Sequence, residues 1–188
     1  MKKLKGYFSV KELKEEGFTE RQIRAMSEQG KLLKLKKGLY RNADMFLQDQ
    51  SFLDVCYAMP YAVITGFSAL TYYGLTTHIP QDISITIPSE RKPPKMNYPI
   101  VKVFRQDISK SKQNIVQIKR GKYSFKIYDI EKTVCEAIKN RNKMGMDTVK
   151  EVLGEYLKRK DNNMPKLYEI AKKCRVFDTL NKMLMIMR

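Results

Sequence analysis

The pattern of apolar and polar positions changes character several times along the chain. Ser9-Val10-Lys11-Glu12 has the form of a capping box, in which a hydroxyl and a carboxylate satisfy orphan amides at a helix start. That short helix is expected to end at Gly17, a favoured residue just past a helix C-terminus. Thr19-Glu20-Arg21-Gln22 repeats the capping box and opens a second helix, which is expected to end at Gly30. Lys31 to Leu35, a basic turn at Lys36-Lys37-Gly38 and Leu39-Tyr40-Arg41 then read as a β-hairpin. Helix, turn, helix and hairpin within forty residues predict a winged helix-turn-helix over residues 1–44.

Residues 45–188 are expected to form a larger α+β domain, with a small sheet first and a helical part last. A helix is predicted over 46–59, stopped before Pro60, and another from Thr65 or Gly66 through Tyr73. Ile83-Ser84-Ile85-Thr86-Ile87 alternates at period two, which predicts a strand with one buried face. The proline-rich loop from Pro88 to Pro99 reads as irregular, and strands are expected at 100–105, 115–119 and 123–128. From Asp129 the period becomes helical: Ile130, Val134, Ala137 and Ile138 form one stripe, and Val149, Val152, Leu153, Tyr156 and Leu157 form another.

Charge points to the kind of partner. Thirty-seven Lys and Arg against twenty Asp and Glu give a formal +17. The surplus divides as +6, +6 and +5 over residues 1–44, 45–128 and 129–188, so it favours a polyanion without locating the site. Double-stranded DNA is the expected partner, with RNA contact through the basic second domain as an addition. No window approaches the run of about 20 apolar residues of a membrane helix, and the basic start lacks a signal-peptide core, so a cytoplasmic location is expected. Cys56, Cys135 and Cys174 are widely spaced among apolar neighbours, as suits reduced, buried thiols. With one histidine, His78, neither a local zinc site nor a convincing Ser–His–acid triad can be assembled, and no cofactor or metal is expected.

The second helix carries the candidate chemistry. Ile23 and Met26, with Phe18, form its apolar side; at about 100° per residue the opposite side bears Arg21, Arg24, Ala25 and Glu28, flanked by Gln22 and Gln29. Arg and Gln fork onto guanine and adenine edges in the major groove, and a small Ala permits close approach. Thr19 at the helix start, Lys34, Lys36 and Lys37 at the wing, and Tyr40 and Arg41 on the returning strand complete the predicted DNA-binding set.

These segments also carry a resemblance. Gly6-Tyr7-Phe8-Ser9, Gly17-Phe18-Thr19, Gly30-Lys31-Leu32 and Lys37-Gly38-Leu39-Tyr40 resemble the N-terminal winged helix of AbiEi-type antitoxins. Gly66-Phe67-Ser68-Ala69-Leu70, Gly74-Leu75-Thr76 and Ile79-Pro80 resemble the opening of that family's second domain, and Asp129-Ile130-Glu131-Lys132-Thr133 the start of its helical part. The resemblance implies a transcriptional autorepressor that binds inverted repeats in its own promoter. It also implies the antitoxin of a type IV toxin–antitoxin, abortive-infection (antiviral defence) system, opposing a nucleotidyltransferase-like toxin without a stable complex. One departure is the short segment before Ser9, which leaves little room for an extra helix.

Two other readings stand beside it. A transcription factor with a ligand-sensing or dimerising second domain would show a clear apolar pocket there. A nucleic-acid-modifying enzyme would need a metal-binding acid cluster. Gly66-Phe67-Ser68 followed by Asp82-Ile83-Ser84 echoes nucleotidyltransferase spacing, but Ser84 stands where the second acid is required. Asp129 and Glu131, two apart at a helix start, are expected not to face each other and to complement the helix dipole. The chain is therefore expected not to be an enzyme.

Overall fold

The computed structural model describes residues 5–187, the side chains of Lys110 and Ser111 excepted; the basic start Met1 to Leu4 lies outside them. The fold is α+β and contains two sheets. The first sheet has three antiparallel strands, β1 (Tyr7–Ser9), β3 (Leu39–Asn42) and β2 (Leu32–Lys36), in that order, with helices α1 (Val10–Glu15) and α2 (Glu20–Glu28) beside it. Both capping boxes form as the sequence predicts: the Ser9 and Thr19 side chains accept from the amides of Glu12 and Gln22. Leu13, Ile23, Leu32 and Tyr40 make the small core between helices and sheet.

β1 is the strand that sequence patterning missed. It is three residues long, too short to show a period, yet it turns β3 into a central strand. Both edges of β3 are thus paired; its faces are covered by the helices, where Tyr40 is buried, and by the Asp54 side, where Arg41 is buried.

The second sheet has five strands in the order β6 (Val101–Gln106), β5 (Ile83–Pro88), β4 (Val63–Ile64), β8 (Tyr123–Tyr128) and β7 (Ile115–Arg120). It is mixed: β5 with β6 and β4 with β8 run parallel, and the other pairs antiparallel. Ile85, Ile87, Phe125 and Ile127 meet Leu53, Val55 and Met59 of helix α3 (Gln50–Ala58) and its C-terminal end. α3 begins four residues later than the pattern over 46–59 suggests. Asp49 is held in a left-handed conformation and its carboxylate is tied to Arg120 at 2.7 Å, which leaves Phe46 in solvent. Helix α4 (Gly66–Tyr72) packs against β5 and against α5 (Ile130–Lys139). The helical part follows as α6 (Arg141–Met144), α7 (Met146–Lys158), α8 (Met164–Cys174) and α9 (Phe177–Ile186), around a core that includes Val134, Ile138, Val152, Tyr156, Leu167 and Leu180.

Two expectations need correction here. Ser84 and Thr86 do not face solvent; they are buried, so β5 is covered on both faces. Asp129 and Glu131 do converge, because Lys166 of α8 reaches both, at 3.0 and 2.8 Å. Asp129 also caps α5 through the Lys132 amide, as a helix-start acid should.

The two sheet units are joined by a polar knot under Tyr7. Tyr7 Oη donates to Asp54 Oδ1 at 2.7 Å, and Gln50 Nε2 donates to both oxygens at 2.9 Å. Arg41 Nε lies 3.0 Å from the same carboxylate oxygen, while its Nη1 donates to the carbonyls of Asn42 and Met45. The Tyr7 ring stacks on Tyr57, and Tyr123 closes edge-on. Glycine suits position 6, where φ is +122° and a Cβ would run into Tyr123 Oη. Asp54→Ala should destabilise the protein by about 3–5 kcal/mol, because it strands a buried guanidinium. Adding Arg41→Met should recover part of that loss, so the two effects should not sum. Urea unfolding of the single and double variants measures both.

Candidate nucleic-acid interface

α2 exists because its caps and one apolar stripe agree. Ile23 is buried against α1, and Met26 is partly buried beside it. Its opposite side, with Arg21, Gln22, Arg24 and Glu28, is exposed, and Ala25 is half-buried. Arg21 and Arg24 form no ion pair among the described residues. Glu20 is held by Lys14 of α1, and that ammonium keeps its carboxyl below the ordinary glutamate range.

Thr19 and Gln22 are occupied with each other. The Gln22 Oε1 accepts from the Thr19 amide at 2.8 Å and from the Thr19 hydroxyl at 3.0 Å. Gln22 is therefore turned back onto the helix start, although its amide nitrogen keeps both hydrogens for an outside acceptor.

The hairpin divides the predicted basic residues by a β-bulge. Strict alternation would point Lys34 and Lys36 the same way, but the register slips between them. Leu32 and Leu35 both turn inward and Lys34 stays exposed. Lys36 leans onto the second unit, where its Nζ donates to the Ala58 carbonyl at 2.6 Å and its backbone bridges Met96. Lys37 is exposed at the turn, with Gly38 at φ +81° supplying the left-handed position.

The ten predicted contact residues thus separate into two groups. Thr19, Arg21, Gln22, Arg24, Lys34 and Lys37 are exposed, with Ala25 half-buried among them. Tyr40 packs in the core between helices and sheet, Arg41 is engaged by Asp54, and Lys36 by Ala58. These three serve the fold. The sequence put all five hairpin residues in the contact set; the bulge, the helix-side core and the Asp54 junction are why Lys36, Tyr40 and Arg41 are drawn into the fold.

The enzyme-like spacing in the second unit resolves into structural hydrogen bonds. Ser68 Oγ accepts from the Ser84 amide at 2.8 Å and donates to the Asp82 carbonyl at 3.4 Å, which ties α4 to β5. Among the described residues no three His, Cys, Asp or Glu side chains are grouped as metal ligands. His78 is exposed with its ring against Phe67. Cys56 and Cys135 are buried, and burial pushes the Cys56 thiol up to about 11. Cys174 is only half-buried, with Lys132 Nζ 3.3 Å from its sulfur. No helix among the described residues is long and apolar enough to cross a membrane.

Thr19→Ala should cost about 1 kcal/mol of stability, since the cap oxygen and its Gln22 partner are lost together. Thermal denaturation of the full chain measures this.

Comparison with known proteins bears on the helix–hairpin unit alone. No curated protein matches the chain. Residues 2–43 match the family model described as transcriptional regulator, AbiEi antitoxin, and the motifs from Gly66 onward lie beyond that match. The resemblance carried by Gly6 to Tyr40 is thereby borne out: the helix–hairpin unit is similar to that of AbiEi antitoxin transcriptional regulators.

Proposed function

We propose that residues 5–44 form a winged helix that reads operator DNA, and that the chain is an autorepressor as well as an antitoxin. The observation that carries this reading is the exposed side of α2, where Arg21 and Arg24 flank a small Ala25 on a helix fixed by its caps. Exposed arginines with no internal partner are free to fork onto base edges, and Ala25 lets the helix approach them. The Thr19 end offers amides and a positive dipole to a phosphate, and Lys34 and Lys37 supply backbone contacts. Regulators of the matched family are DNA-binding, which agrees with the chemistry of this face.

The second unit is assigned the antitoxin role by the same family resemblance, against a nucleotidyltransferase-like toxin and without a stable complex. Its sheet-and-helix body carries no residue assigned to catalysis, and Asp82 and Ser68 are given structural roles only.

Binding to the protein's own promoter, followed by fluorescence anisotropy at two salt concentrations, tests the proposal. Arg21→Ala or Arg24→Ala should weaken promoter binding by about 1–3 kcal/mol and leave unrelated duplexes little affected. Lys34→Ala with Lys37→Ala should weaken every duplex alike and lower the salt slope by about one per lysine. Unchanged binding in all of these would remove α2 and the hairpin from the interface. In a growth-rescue assay with the cognate toxin, full-length Arg21→Ala should still protect, because protection is assigned to the other unit.

A further inference from the structure

The alternation Ile83-Ser84-Ile85-Thr86-Ile87 leaves a problem that solvent does not solve. Ile85 and Ile87 face the core under α3, yet Ser84 and Thr86 on the other side are only 2% and 1% exposed. The Thr86 hydroxyl pairs with that of Thr65 at 3.1 Å, and what lies beyond the two strand residues accounts for their place. They open onto a cavity of about 210 Å³ between the β4–β5–β6 face and helices α4, α5 and α6.

The parallel register places Lys102 opposite Ser84, Phe104 opposite Thr86 and Gln106 opposite Pro88, so one face of β6 supplies an ammonium, an aromatic ring and an amide. Phe67, Leu70, Ala137 and Met144 line the cavity from the helices. Asn140 and Lys143 add an amide and a second ammonium at the α5–α6 junction. Glu136 also lines it, but its carboxylate is held by Lys132 at 2.7 Å, so it does not cancel the lysines. Among the described residues, Lys102 and Lys143 pair with no carboxylate; Lys102 Nζ stands 5.9 Å over the Phe104 ring.

We propose that this cavity binds a small aromatic anion. The apolar walls and two phenylalanine rings suit a flat aromatic body, and the two exposed lysines suit one carboxylate or phosphate at the mouth. Size sets the class. A dry cavity of about 150 Å³ accepts a benzene ring, so 210 Å³ accommodates one or two fused rings with the charged group projecting outward. Gln106 can then hydrogen-bond a ring heteroatom, and Asn140 can accept from one through its Oδ1, its Nδ2 being held by the Glu136 carbonyl at 2.8 Å. The site lies in the second unit and stands independently of DNA reading.

Isothermal titration calorimetry of the full-length chain tests it with three probes: indole-3-acetate, its uncharged amide, and adenosine 5′-monophosphate. Saturable one-site binding of at least one anion, at least tenfold tighter than the uncharged amide, is expected. Which of the two anions binds better identifies the headgroup. Lys102→Ala with Lys143→Ala, both surface changes, should weaken that binding tenfold or more. Ala137→Leu, which fills the cavity, should abolish it while the circular dichroism spectrum and melting temperature stay close to the parent's. If neither anion binds, if the amide binds as well as the acid, or if affinity is unchanged in the lysine variant, the proposal is overturned.

Discussion

The Asp54 carboxylate is the point on which the arrangement of the two units turns. It sits fully buried at the junction and gathers Tyr7 from β1, Arg41 from β3 and Gln50 from its own helix. Burial outweighs the favourable Arg41 charge and the hydrogen bonds, so its carboxyl lies above the ordinary aspartate range. The same burial and the neighbouring carboxylate push the Tyr7 hydroxyl up, which keeps it a donor. Desolvation therefore offsets much of what the ion pair contributes, and the gain is positional. Each partner comes from a different element, so the carboxylate ties β1 and β3 of the three-stranded sheet to α3.

That placement decides which basic residues are left for an outside partner. Holding Arg41 and Lys36 against the second unit fixes the sheet's inner face. The helices then lie on its far side, where α2 turns Arg21 and Arg24 outward. The proposed recognition surface has to be rigid to read bases, and α2 is held by caps at one end and by the Leu13–Ile23 contact along it. Even the short loop of the hairpin is specified, with its bulge separating the lysine that braces from the lysines that remain exposed.

Much of this was legible in the sequence wherever a signal is local. Both capping boxes, the hairpin turn at Gly38, the irregular loop before Pro99 and the helical stripes from Ile130 onward follow from spacing alone. What escaped depends on contacts distant in sequence. β1 has three residues and is a strand only because β3 pairs with it. Tyr40 and Arg41 look like hairpin surface until the helices cover one face and the second unit the other. Lys166 joining Asp129 to Glu131 spans more than thirty residues, and no local periodicity encodes it. Ser84 and Thr86 read as the wet side of a strand because alternation cannot distinguish solvent from a cavity lined by α4 and α5.

Whether DNA touches the chain at α2 and the hairpin turn can be seen directly. Hydrogen–deuterium exchange on the full protein, with and without its own promoter duplex, locates that contact without any substitution. The expected result is protection concentrated at residues 19–28 and at the Lys37-Gly38 turn, with the Tyr7–Asp54 junction unchanged. Protection confined to the second unit, with the α2 amides indifferent to the duplex, would contradict it.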